Sequence, residues 1–290
     1  NGTLTSLATE AITVNDSITV SEANTLNTTT TGVVTATIST TSVGGLSGLD
    51  AAEAGQGSPN AYTIVITNTS ADAGDLNTID GLTSIAVNIS AVDTVTGSYS
   101  EINTFETNIA NFSNVANDTI LQVDDGSGGN TTINLATHDL ETLIDNFRAH
   151  ATAGVLNLSK VTSITGAATK FTKAGGIDAL NTAGTITGLT NQAITLSDTD
   201  VTVTEANTVN ALTTGVTTAT IESTALATLV ANLDDAIVGQ TSDNAYTIVL
   251  PGGDATSTAS NLTALNALTS VAGDMIYNSD DSKVQVYNGS

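Results

Sequence analysis

Cysteine and tryptophan are absent from this chain of 290 residues, methionine occurs once, and aromatic residues make up only 3%. Without cysteine there are no disulfides and no thiolate chemistry, while the redox compartment stays undecided because many exported repeat proteins also lack it. So few aromatics speak against a large, irregular core. Thin, regular layers of small aliphatic side chains suit the abundance of Thr, Ala, Asn, Ser, Gly, Val, Leu and Ile better. A hydrophobic fraction of 40% is enough to bury a core if the pattern places it on one side.

Positive charge is nearly missing as well. Arg148, Lys160, Lys170, Lys173 and Lys283 are the cations, against 29 acidic residues, for a formal net charge of −24, and residues 1–147 hold no Lys or Arg. Such a surface repels phosphate backbones and anionic bilayers, which excludes nucleic acid as a partner. Strong acidity suits a high-salt medium, where self-repulsion is screened. No apolar run approaches the eighteen residues that a membrane helix needs, so no membrane insertion is expected. With two His and no G-x-S-x-G motif, a hydrolase triad has no basis. Glycosidase carboxylates would want an aromatic-lined cleft that this composition does not supply. The chain is therefore read as no enzyme. It opens at Asn1 without a leader pattern and stops at YNGS, which reads as a mature or excerpted segment.

What is abundant is repetition. Residues 24–38 (NTLNTTTTGVVTATI) face residues 207–221 (NTVNALTTGVTTATI), AITVNDSITVSEAN (11–24) faces AITLSDTDVTVTEAN (193–207), and NAYTIVI (60–66) faces NAYTIVL (244–250). Ile12 matches Ile194, Gly32 matches Gly215, Asn60 matches Asn244 and Leu76 matches Leu262, so the offset grows through 182, 183, 184 and 186. Drift that small places the insertions in loops and defines two related blocks of about 75 residues.

Along the chain, Ile12, Val14, Ile18 and Val20 alternate with polar residues as a half-buried strand does. Ser21 is the expected cap of a short helix SEANTLN, followed by the strand VVTATI after Gly32 and a helical segment around TSVGGLSGLDAAEA. Strand AYTIVIT (61–67), helix 71–82 and strand SIAVNIS (84–90) follow. Ser100 opens SEINTFETNIANF, where Ile102, Phe105, Ile109 and Phe112 keep helical spacing, and TILQV (119–123) and TTINLA (131–136) read as strands. The clearest helix spans 138–151, with Thr137 as cap, Leu140, Leu143, Ile144 and Phe147 as the apolar stripe, Arg148 and His150 in the last turn and Gly154 to end it. Residues 155–165 and 185–203 return to strand alternation around a basic-tinged helical stretch at 167–182. In the second block Ser223 is the expected cap of a helix carrying Leu226, Leu229, Val230 and Leu233, NAYTIVL is followed by a PGGD turn, and SNLTALNALTS matches 75–84.

Strands recurring at roughly 20–28 residues with a short helix in most intervals predict an α/β or β-rich solenoid: stacked strand-plus-short-helix repeats with a parallel sheet. The alternative is a parallel β-helix without helices. Leu spacings of three and four favour the α/β form, because they have no use in a strand. The organisation expected is a first repeat block at 1–92, divergent central repeats at 93–190 with the helix 138–151, a second repeat block at 191–272 and a distinct C-terminal segment at 273–290.

The words TGVVTATI, NAYTIVIT, DLNTIDGLT and VTEANTVNALTTGVTTATI resemble the tandem repeats of very large cell-surface proteins of marine cyanobacteria. The segment GDMIYNSDDSKVQVYNGS (273–290) resembles a pattern of phage tail-fibre and virion structural proteins. Together these resemblances imply an extracellular, cell-surface or virion location, in a marine cyanobacterium or a cyanophage, and neither carries over a catalytic residue. The function expected is a structural fibre made by self-association, its partner another copy of the chain. An adhesion or receptor-binding module recognising a host cell-surface glycan is the alternative.

Candidate sites are few. The loop DDGSGGN offers Asp124, Asp125, Ser127 and Asn130 as oxygen ligands for Ca²⁺, although neither it nor NSDDS (278–282) follows an EF-hand or nonapeptide pattern, and no other cofactor is expected. His138 with Asp139 and Glu141 reads as a helix terminus, since His150 falls too far along the same helix to share a metal. Tyr62 and Tyr246 hold matched positions, which favours packing over a sugar platform.

Overall fold

The alternation in VTATI is the key to the sheets. The computed structural model describes residues 7–126, 131–222, 224–234, 239–240, 243–248 and 264, and the backbone of 275–278 and 283–286. Within it β1 (Ile12–Ile18) is followed by α1 (Val20–Asn27), β2 (Val34–Ile38), α2 (Val43–Leu46) and β3 (Ala61–Thr63). Val34, Ala36 and Ile38 are buried while Thr35 and Thr37 face out, the period-two placement of a strand with one covered face. The three strands pair in the order β1-β2-β3, all parallel, with Ile12 opposite Val34 and Thr35 opposite Ala61.

The chain continues through β4 (Ser70–Asp72), α3 (Ala73–Asp80), β5 (Val87–Asn88), β6 (Thr94–Gly97), α4 (Tyr99–Thr107), a 3-10 turn at Ile109–Asn111, β7 (Phe112–Ser113) and β8 (Ile120–Val123). Strands β4, β6 and β8 form a second parallel row with Ser70 opposite Thr94 and Thr94 opposite Ile120, and β5 pairs in parallel with β7. Helix α3 packs on α4, and the Phe105 and Phe112 rings meet at 4.8 Å, tilted by 48°. Offset aromatic pairs of this kind contribute about 1 kcal/mol beyond their buried area.

Next come β9 (Thr131–Asn134), α5 (Leu140–Arg148), β10 (Val155–Asn157), β11 (Val161–Gly166), α6 (Ala168–Thr172), α7 (Ile177–Thr182) and β12 (Ile186–Thr187). After them stand β13 (Ala193–Leu196), α8 (Val203–Asn210), β14 (Thr217–Ile221), α9 (Leu226–Asn232) and β15 (Ala245–Ile248). A parallel sheet runs β9-β11-β13-β14-β15, with Ile133 opposite Ile164, Ile164 opposite Ile194 and Ala219 opposite Tyr246. The last two strands, β16 (Met275–Asn278) and β17 (Lys283–Val286), pair antiparallel with Met275 opposite Val286. By internal contacts the chain divides into two compact units, Asn1–Gly126 with Leu143–Leu156, and Ser127–Thr142 with Asn157–Ser290.

The protein is thus α/β with parallel sheets and short helices, and the β-helix without helices is ruled out. Several local expectations are corrected. Helix α1 is capped by Thr19, whose hydroxyl accepts from Glu22 N at 3.2 Å while the Glu22 carboxylate returns to Thr19 N at 2.8 Å, so Ser21 lies inside the first turn. Ser98 and Glu101 make the same reciprocal box for α4, displacing Ser100, and Thr202 with Glu205 repeats it for α8. The Glu22 carboxyl is held below its ordinary pKa by the Thr19 amide and then by its hydroxyl.

The helix expected at 138–151 is only Leu140–Arg148. Asp139, not Thr137, accepts from Thr142 N at 3.1 Å, while Thr137 Oγ1 donates to Asn134 O. His150 sits beyond the helix in a turn, and Gly154 packs under Phe147, where any Cβ would collide with the ring. Phe112 leaves the helical stripe to begin β7, and the segment SIAVNIS yields strand only at Val87–Asn88. The 167–182 stretch is two helices, α6 and α7, parted where Gly175 takes φ +79, a conformation glycine adopts without strain. Ser223, the PGGD turn and most of SNLTALNALTS lie outside the described residues.

Candidate functional site

Buried amide side chains are the first place to look for chemistry, because a polar group taken out of water destabilises the fold unless it is bonded. Asn27, Asn60, Asn210 and Asn244 are each fully buried. Asn60 Oδ1 accepts from Val34 N at 2.9 Å and from Gln56 Nε2 at 2.9 Å, and Asn60 Nδ2 donates to Asn27 Oδ1 at 2.8 Å. Asn27 in turn donates to Ala51 O at 2.8 Å. In the second block Asn244 Oδ1 accepts from Thr217 N at 3.0 Å and from Gln240 Nε2 at 2.8 Å, and Asn244 Nδ2 donates to Asn210 Oδ1 at 2.9 Å. The duplicated words therefore carry one duplicated hydrogen-bond network, which joins a helix end, the strand after it and the next strand.

The same logic recurs on the helix faces. Asn24 Nδ2 donates to Gly48 O at 2.7 Å and its Oδ1 accepts from Asp50 N at 2.9 Å. Asn207 does the same with Asn232 O at 2.7 Å and Asp234 N at 2.9 Å. Asn77 Nδ2 reaches Glu101 O at 3.0 Å. Each asparagine ties a helix to backbone groups roughly one repeat further on, in or just beyond the next helix.

Threonines before the strands close the opposite side. Thr30 Oγ1 donates to Glu10 O at 2.6 Å and accepts from Gly32 N at 2.8 Å, as Thr213 Oγ1 does with Gln192 O at 2.8 Å and Gly215 N at 2.9 Å. A Cβ at Gly32 would run into the Glu10 carbonyl, and one at Gly215 into the Gln192 carbonyl, so the glycine shared by both copies is required by close backbone approach. Tyr62 and Tyr246 are both buried, as expected of packing residues. Burial, with the charge of Asp50 adding to it, pushes the Tyr62 hydroxyl up to about 12, and this hydroxyl has no hydrogen-bond partner.

Of the acidic loop, Asp124, Asp125 and Gly126 are described. Asp124 Oδ1 accepts from Gly126 N at 2.9 Å, closing a turn, and Asp125 is exposed. Ser127 and Asn130 lie outside the described residues, as does NSDDS beyond Asn278. Among the described residues no group of three or more His, Cys, Asp or Glu side chains is placed to hold a metal ion. His138 is half-buried, its Nδ1 accepting from Asn134 N at 3.3 Å, and burial lowers its pKa. Asp139 is lowered chiefly by the Thr142 amide, and Glu141 pairs with Lys173 at 2.5 Å, so Asp139 caps α5 and Glu141 anchors a cation.

One titratable group went unread in the sequence. Glu106, on α4, is buried, and burial raises its carboxyl pKa against the opposing influence of His150 and a bond from the Asn146 side chain. Its position in the apolar stripe beside Phe105 was the available signal. An open depression on the α1 surface is lined by Val20, Ser21, Asn24, Thr25, Thr28 and Asp50, and Asn24 is already engaged there with Gly48 and Asp50.

No helix among the described residues is long and apolar enough to cross a membrane. The chain matches no protein-family model, no curated protein and no solved structure.

Proposed function

We propose that this chain is a non-enzymatic structural repeat protein, a solenoid of strand-and-helix units that builds an extracellular or virion-associated fibre by self-association. The observation that carries the reading is the duplicated asparagine network, Asn27–Asn60–Gln56 and Asn210–Asn244–Gln240. Here buried polar side chains serve to join successive strand-helix units. Repeats of this kind bury their faces against neighbours, so an end without a neighbour is completed by another copy. The acid-rich surface keeps such copies apart at low ionic strength and lets them approach once salt shortens the screening length to a few ångströms.

Sedimentation velocity across a concentration series in about 0.5 M salt, with electron micrographs of the same samples, tests the reading. Filaments that lengthen with concentration are expected, and a dispersed monomer throughout would overturn it.

A further inference from the structure

Among the described residues, Glu106 is the one acidic residue that is buried, at 8% exposure. It stands in the last turn of α4 beside the buried Phe105, where an acid meets the negative end of its own helix. Burial and the helix end both oppose its charge, so this position favours the neutral carboxyl.

The side chain meets the corresponding end of another helix. Asn146, in the last turn of α5, bonds the Glu106 carboxyl through its side chain, and the charge of His150, just past that helix, bears on it. The His150 ring lies over the same turn, its Nδ1 3.4 Å from Asn146 O. Other charges on the neighbouring elements are engaged or exposed. On α3 Asp80 accepts from Asn111 Nδ2 at 3.0 Å and Asp75 is exposed, while β6 and β8 carry no charged residue. Glu101 of α4 accepts from Ser98 N at 2.8 Å, Asp145 of α5 is exposed, and Arg148 donates to Gly154 O at 3.2 Å.

Both helix ends belong to the unit made of Asn1–Gly126 and Leu143–Leu156, in which Leu143–Leu156 is the piece not continuous with the rest. That piece is also held by the loop before β8. Thr152 N and Oγ1 both donate to Asn117 Oδ1 at 2.8 Å, and Ala153 N donates to Asn117 O at 2.9 Å. Thr152 and Ala153 are exposed, so this turn is a place where local opening costs little.

We propose that Glu106, Asn146 and His150 form a pH-dependent latch, which holds the end of α5 and the turn 149–154 in place while the carboxyl is neutral and lets them open once it ionises. An ionised carboxylate is solvated better by water than by this buried position, and parting the two helix ends admits that water. Burial raises the Glu106 carboxyl from its ordinary 4.5, so the stabilisation is present below that value and is lost as pH rises through the folded one. His150 opposes the rise, so removing it moves the transition to higher pH. The latch lies within one unit of the chain and is independent of the fibre reading.

Hydrogen exchange followed by NMR tests it on the dispersed full chain at low ionic strength, with rates corrected for their intrinsic pH dependence. Between about pH 5 and about pH 8, protection of the Thr152 and Ala153 amides should fall about threefold or more, in step with the Glu106 carboxyl resonance. The Ala23 amide, bonded to Thr19 O at 2.9 Å in the same unit, should keep its protection. In Glu106→Gln the turn should stay equally protected across the range, and in His150→Gln the midpoint of the fall should move up. No fall in wild type, or an equal fall in Glu106→Gln, overturns the proposal. Should Glu106→Gln not fold, His150→Gln decides, and an unmoved midpoint there overturns it as well.

Discussion

Strands β1 and β13 share a sequence, a direction and a first hydrogen bond, yet Ile194 is enclosed and Ile12 is half-exposed. The lesson of the pair is that the local pattern sets conformation while position in the sheet sets burial. A side chain placed identically by alternation gains its packing only where a further strand arrives.

The largest test of that comparison is truncation. Ile194→Ala should cost about 3 kcal/mol, the usual range for a buried Ile, whereas Ile12→Ala in the dispersed chain should cost about 1. Urea unfolding of the two variants measures the gap, and equal losses would mean that β1 is covered as β13 is. The pair also differs within the buried row. Thr217 stands where the first block has Val34, both fully buried, and Thr217 Oγ1 has no hydrogen-bond partner. Thr217→Val should therefore stabilise by about 1 kcal/mol, and Val34→Thr should destabilise by a similar amount. The thermal midpoint reads both, and a loss of stability in Thr217→Val would show that the hydroxyl has a role the hydrogen-bond geometry does not reveal.

The smallest effect sharpens the comparison from outside, at Glu106, which lies in the divergent stretch and has no duplicate. Its folded pKa is raised above the ordinary 4.5, so the folded state retains a proton that the unfolded state has lost. The stability this contributes is present below about 4.5 and is lost as pH rises through the folded pKa. Glu106→Gln should accordingly raise the urea midpoint at pH 7 and leave it unchanged at pH 4. An equal rise at both pH values would assign the effect to packing.

Much of the strand-helix order was legible, for a physical reason: one-sided burial imposes period two on strands and three-to-four spacing on helices. Element edges were less so. Ser21 looked like a cap because serine suits one, but the glutamate three residues after Thr19 was the stronger signal, since a reciprocal box satisfies two amide donors. At 138–151 periodicity overran the helix because Asp139 bonds the Thr142 amide and fixes the start. The asparagine network escaped a reading built on apolar spacing, although Asn24, Asn27 and Asn60 recur as Asn207, Asn210 and Asn244. Recurrence was visible in the chain; partners such as Ala51 O and Val34 N are assigned only when distant segments meet.

By itself the sequence determined the alternation of strand and helix, the duplication and the acidic surface, because each follows from residue type and spacing along the chain. The tertiary structure alone decided the register of the strands, the bonding of the buried asparagines and the contrast between an enclosed Ile194 and a half-exposed Ile12. Those depend on which segment lies beside which, and two stretches with nearly the same residues came out differently because, among the described residues, only one of them has a neighbouring strand on both sides.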